Sequence, residues 1–210
     1  MGSPNQSQSP SPKTPALLCL VVLTSLAVLA PICSAQSGAV AVQRNLGELV
    51  DRAGIIVVGK ILSARVQPHP EFKNLPTVLV TVQVDESLKG DVGGLYVYRQ
   101  AILDVREQYD SAGYKKGEPV LLLLAKPSRM GLSSPMGLAQ GRFRIVEGPQ
   151  GQKAAVNGLG NGGLLVGMRT SLRQRGIDPN AAEDALLEQE RGPVGLEEFK
   201  SLIRKIVARP

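Results

Sequence analysis

Cysteine is nearly absent from this chain of 210 residues: there are two, Cys19 and Cys33. Histidine occurs once, tryptophan never, and aromatic residues make up 3% of the chain. Two cysteines exclude a disulfide-rich scaffold. One histidine excludes a multi-histidine metal site within the chain. So few aromatic rings argue against stacking-based binding of single-stranded nucleic acid. Hydrophobic residues reach 43%, near the globular norm, so disorder throughout is excluded as well.

Residues 16–33, ALLCLVVLTSLAVLAPIC, are apolar and uncharged. A polar, Pro/Ser-rich lead with one basic residue, Lys13, comes first, and Cys33-Ser34-Ala35 follows with small residues at −3 and −1. Basic lead, apolar stretch and small-residue cut site are the pattern of a signal peptide over residues 1–35. Pro31 ends any helix just before the cut. The alternative is a membrane-anchored subunit that keeps residues 16–33, since about 18 apolar residues can just span a bilayer. Both cysteines fall in this segment, so cleavage leaves a chain without thiols, disulfides or cysteine-bound zinc. Removing Lys13 with it lowers the formal charge of +6 by one. The expected location is therefore exported, periplasmic or extracellular.

Residues 36–43 read as a loose arm. Asn45 and Glu48 have capping-box spacing, with Leu46, Leu49, Val50 and Ala53 on one helical face and Gly54 as the stop. Residues 55–66 are β-branched and apolar, and Gly59 inside them predicts a bulge. The loop PHPEFKNLP leads to residues 77–88, where Val78, Val80, Val82 and Val84 alternate with polar positions. Further strands are expected at 95–99, 120–125 (fully buried) and 141–147, and a short sixth at 154–157. Residues 100–118 read as loop or short helix, and 126–139 as a Ser/Pro/Gly loop. Asn180 and Glu183 form a second capping box, and residues 196–207 a last amphipathic helix. The expected domains are 44–157, a β-barrel-like domain with an N-terminal helix, and 158–210, a Gly-rich turn with C-terminal helices.

Several motifs have a chemical and a plainer reading. Gly158-Leu159-Gly160-Asn161-Gly162-Gly163 matches G-x-G-x-x-G, but no βαβ unit surrounds it, and a turn is expected instead. His69 sits between two prolines, where an extended, solvent-exposed loop residue is expected. As a general base it would pair with Asp104 or Glu107 in a hydrolase, but no G-x-S-x-G elbow is present. Asp104, Glu107 and Asp110, three residues apart, read as a solvated face. Arg169, Arg173 and Arg175 form a basic cluster suited to anionic lipid or an acidic envelope polymer rather than to nucleic acid.

The segments LVDRAGIIVVGKI, VTVQVDESLKGD, YKKGEPVLLLL and GLAQGRFRI, over residues 49–146, resemble a group of exported bacterial proteins of unknown function. The arrangement is similar to the OB-type barrel of netrin-like and metalloproteinase-inhibitor domains. Those inhibitors reach a protease zinc through an N-terminal cysteine. A mature chain starting near Gln36 has none, so that activity does not carry over. The resemblance implies a mainly β fold with flanking helices (α+β): a small five- or six-stranded OB-like barrel closed by a C-terminal helix. The export signal, the strand frame and the missing catalytic constellation point to a non-enzymatic binding or envelope-associated module, without cofactor, metal or catalytic residues, and the resemblance brings no catalytic residues to transfer. Its partner would be a protein or an envelope polymer, with the membrane involved only if the N-terminal segment is uncleaved. The ligand-facing loops would carry His69, Glu71, Phe72, Asp104, Arg106, Tyr109 and Tyr114.

Overall fold

Alternating valines and an all-aliphatic run dictate most of the sheet. In the computed structural model, residues 1–2, 42–148 and 151–210 are described. The chain divides into two units, Met1–Ser37 and Gly38–Pro210, and the elements below belong to the second. The expected signal segment, apart from Met1 and Gly2, and the arm up to residue 41 lie outside the described residues.

Strands β1 (Ile55–Pro68) and β2 (Pro76–Lys89) form a long antiparallel hairpin. β3 (Gly94–Ala101) pairs with β2, and β4 (Pro119–Leu124) pairs with the first half of β1. β5 (Arg142–Glu147), β6 (Lys153–Asn157) and β7 (Val194–Gly195) extend the sheet beyond β4. The order is β3-β2-β1-β4-β5-β6-β7, antiparallel throughout. Among the described residues seven strands stand where five or six were expected, and β3 and β7 end the sheet unpaired with each other, so it is not closed. The extra strand, β7, is two residues long, too short to show a period.

Gly59 behaves as its position suggested. The β1–β2 register shifts between Val58 and Gly59, and a Cβ there would run into the Gln83 carbonyl. The connection between β4 and β5 is not wholly irregular. Leu132 bridges Arg99 of β3 in parallel, and Pro135 bridges Leu124 of β4 antiparallel.

Four α-helices lie among the described residues, α1 (Leu46–Arg52), α2 (Met168–Gln174), α3 (Ala181–Leu187) and α4 (Leu196–Ala208), with short 3-10 helices at Val105–Gln108, Ser111–Gly113 and Leu138–Gln140. The Asn45 side chain accepts from the Glu48 N–H, while Glu48 itself pairs with Arg44 at 3.5 Å. At α3 the reciprocal capping box of Asn180 and Glu183 is complete. The first half of β1 and most of β4 are buried on both faces. Ile56, Val58, Leu121 and Leu123 pack with the helices, including Phe199 and Ile203 of α4. Val57, Ile61, Val120, Leu122 and Leu124 pack with Val78, Val80, Val82 and Tyr98 on the other face. No helix among the described residues is long and apolar enough to cross a membrane.

Candidate functional site

Three loops meet at one end of the sheet. Residues 69–75 join β1 to β2, residues 102–118 join β3 to β4, and residues 125–141 join β4 to β5. Thr77 pairs with Ala101, and the Ile102 N–H donates to the Pro76 carbonyl at 3.0 Å, which sets the first two loops side by side. His69 fastens the third. Its Nε2 donates to the Met130 carbonyl at 2.9 Å, and its Nδ1 accepts from the backbone N–H groups of Glu71 and Phe72, each at 3.2 Å. The Phe72 ring packs 5.1 Å from the imidazole.

His69 is thus 2% exposed, not the solvent-exposed residue expected from its flanking prolines. Proline restrains the backbone but does not say what a side chain will meet, and here a distant carbonyl draws the imidazole in. Both ring nitrogens are engaged, so it has no lone pair free to act as a base. The acids are also occupied by their own loop. The Arg106 side chain, and then its backbone N–H, hold the Asp104 carboxyl below the ordinary carboxylate value. Glu107 accepts from the Leu103 N–H, and Asp110 from the Gly113 N–H. Asp104 and Asp110 each cap a short 3-10 helix, Val105–Gln108 and Ser111–Gly113, and these local bonds account for their place in the loop.

Tyr114 lies inside the protein rather than on a ligand-facing surface. Its hydroxyl donates to Gln100 Oε1 at 2.8 Å, and the Arg142 guanidinium sits 4.5 Å from its ring centre. Tyr98 meets it edge-on at 6.2 Å. The Tyr98 hydroxyl is buried, and burial pushes it well above the ordinary 10.0. Tyr109, by contrast, is 87% exposed.

The loop end exposes large apolar side chains among charged ones such as Glu71, Lys73, Arg106 and Arg129. Phe72 is 46% exposed, Leu103 61%, Val105 66% and Met130 40%. Beside them a cleft of about 370 Å³ is lined by Leu103, Lys126, Ser128, Leu132, Ser134 and Leu138, among others. The 125–141 loop was not foreseen as part of this surface. Its only sequence signal is Met130-Gly131, an apolar side chain at a turn. A second cleft, of about 720 Å³, opens between β1–β2 and β5–β6 at the start of α4. Its Lys200 is engaged by Glu86 at 2.8 Å and Glu197 at 2.9 Å.

The glycine-rich motif is a braced turn. Asn157 Oδ1 accepts from the N–H groups of Leu159 and Asn161, and Asn161 Oδ1 from the Asn157 N–H. The Gly160 and Gly162 N–H groups donate to the carbonyls of Asn157 and Leu159. The backbone donors that would cradle a phosphate are therefore already used. In the basic cluster, Arg169 pairs with Asp184 and Glu188, and Arg175 with Asp51 at 2.6 Å.

Compared with protein-family models, with curated proteins and with solved structures, the chain matches none of them.

Proposed function

We propose that the protein is an exported, non-enzymatic binding module that takes a protein or envelope polymer at the loop end carrying Phe72, Leu103 and Met130. The observation that carries this reading is a division of labour at that end. Four of its ionisable side chains, His69, Asp104, Glu107 and Asp110, are spent on holding the loops, while Phe72, Leu103, Val105 and Met130 expose apolar surface beside them. Large apolar side chains gathered on an exposed surface mark a site of interaction. A hydrolase reading through His69 has no such support.

The OB-type resemblance belongs to the same proposal. The bridges of Leu132 to β3 and of Pro135 to β4 support a local ring of β1, β2, β3, residues 132–135 and β4. The interior of that ring would be the cluster of Val78, Val80, Val82, Leu122 and Tyr98. The parallel sense of the Arg99–Leu132 bridge supports an OB-like closure, in which loops at the mouth bind.

A photo-crosslinking phenylalanine analogue at position 72 or 103, in the producing cell, tests the surface. One discrete adduct is expected at both positions and none at the exposed control Glu190. The same adduct at all three, or no adduct, overturns the reading. Export is tested by the mass of the purified chain. A chain beginning at Gln36 is expected, and one retaining residues 16–33 supports an anchored subunit instead.

A further inference from the structure

The two edges of the sheet are managed differently. β7 is only two residues long, and a short edge gives little template for another strand. β3 is eight residues long and carries no charge between Gly94 and Tyr98. Its outer backbone groups can be assigned. In an antiparallel strand each residue turns its N–H and C=O to the same side, and successive residues alternate. The Arg99 carbonyl faces away from β2, because it accepts from the Ser133 N–H at 2.7 Å. Leu95 and Val97 share that parity, so their N–H and C=O groups also face outward. No bridge covers them among the described residues. Their side chains are exposed as well, Leu95 at 65% and Val97 at 51%.

We propose that β3 pairs antiparallel with β3 of a second copy of this chain, centred on Tyr96. That register sets Leu95 opposite the partner's Val97, and Val97 opposite the partner's Leu95. It pairs every outward-facing group of the free section. A register centred on Val97 would instead need the backbone of Arg99, which residues 132–133 already occupy. On the solvent face, Leu95 and Val97 of the two copies form one apolar patch. The register brings the exposed Asp91 of each copy toward the end of the partner's β3 that carries Arg99, while the positive-φ Gly94 turns the chain aside from residues 132–133, which already lie against Arg99. The contact is two-fold and closed, so it stops at a dimer. It leaves the loop end free and does not depend on the reading given above.

Sedimentation of the form purified from the producing cell, from about 1 μM to about 1 mM, spans the range of weak association. The mass is expected to rise from one copy toward two with concentration. Val97→Pro removes an outward N–H and no bond to β2. It should stay monomeric throughout with an unchanged far-UV spectrum. Val97→Lys keeps the backbone, adds a charge to the edge, and should also be monomeric should the proline variant unfold. A wild-type chain that stays monomeric, one that grows beyond two copies, or a folded Val97 variant that dimerises like wild type overturns the proposal.

Discussion

At Gly59 the backbone of β1 passes so close to Gln83 that no side chain fits between them. Alanine elsewhere in a chain usually gains stability over glycine by restricting the unfolded state. Here the added methyl must push two paired strands apart. Gly59→Ala is expected to lower stability by about 1–3 kcal/mol, the usual range for overpacking, read as a lower urea midpoint at unchanged slope. An unchanged midpoint would show that the bulge relaxes freely. His69 makes the opposite kind of contribution, through polar atoms. His69→Ala leaves the Met130 carbonyl and the Glu71 and Phe72 N–H groups unpaired. It should cost about 1–3 kcal/mol and speed amide exchange at Glu71 and Phe72. His69→Asn should restore part of this, since an Asn oxygen can accept where Nδ1 does. A catalytic histidine predicts otherwise: full stability in His69→Ala, with only an activity lost.

At the scale of elements, a buried carboxylate ties α3 to α4. Glu183 is 0% exposed. Its Oε2 accepts from the Asn180 N–H at 2.8 Å and from Lys205 Nζ at 2.6 Å, and its Oε1 from Ser201 Oγ at 2.7 Å. Burial pushes its pKa up, but Lys205, the Asn180 N–H and Ser201 more than offset this, so it lies below the ordinary 4.5. A carboxyl lowered in the folded state contributes stability that is fully present above its unfolded value. That contribution is lost as pH falls through the folded value. Glu86, held down by Lys200 and Arg204 against its own desolvation, adds in the same sense. The urea midpoint should therefore change little between about pH 7 and about pH 5 and fall below that. Glu183→Gln should start lower and fall less steeply; a parallel curve would remove Glu183 from the account. The capping box was legible in the sequence because Asn180 and Glu183 are three residues apart. The bonds of Glu183 to Ser201 and Lys205 were not, because they depend on how two helices cross. α2 was missed altogether. It begins at Gly167 with no side-chain cap and runs through Thr170 and Ser171, so no local signal marks it. The strands were largely legible, because alternation in β2 and the unbroken aliphatic run of β4 encode which faces are buried. The loop end was half legible. Phe72 and Tyr109 were foreseen on its surface, while His69 and Tyr114 turned inward toward partners far along the chain.

For the whole molecule, two apolar clusters share β1 and β4 as a common wall. Along β4, Leu121 and Leu123 face the helices, and Val120, Leu122 and Leu124 face the strand-side cluster. The wall is one layer thick, so neither cluster can lose its packing without exposing the backbone ladder that supports the other. Leu123→Ala and Leu122→Ala open cavities on opposite sides of it, and each is expected to cost about 2–5 kcal/mol. If the wall couples the clusters, both variants unfold in a single step, as small domains usually do. The chain offers a natural probe, because it has no tryptophan and three of its tyrosines, Tyr96, Tyr98 and Tyr114, pack in or against the strand-side cluster. Near-UV circular dichroism therefore reports mainly that cluster, while the far-UV signal reports helices and sheet together. In Leu123→Ala, damaged on the helix side, the tyrosine signal should be lost at the same urea concentration as the far-UV signal. A tyrosine signal that outlasts the far-UV change would mean that strands β1–β4 stand without the helices. The deletion of residues 196–210 would then leave them folded, whereas a shared wall requires that deletion to unfold both clusters at once.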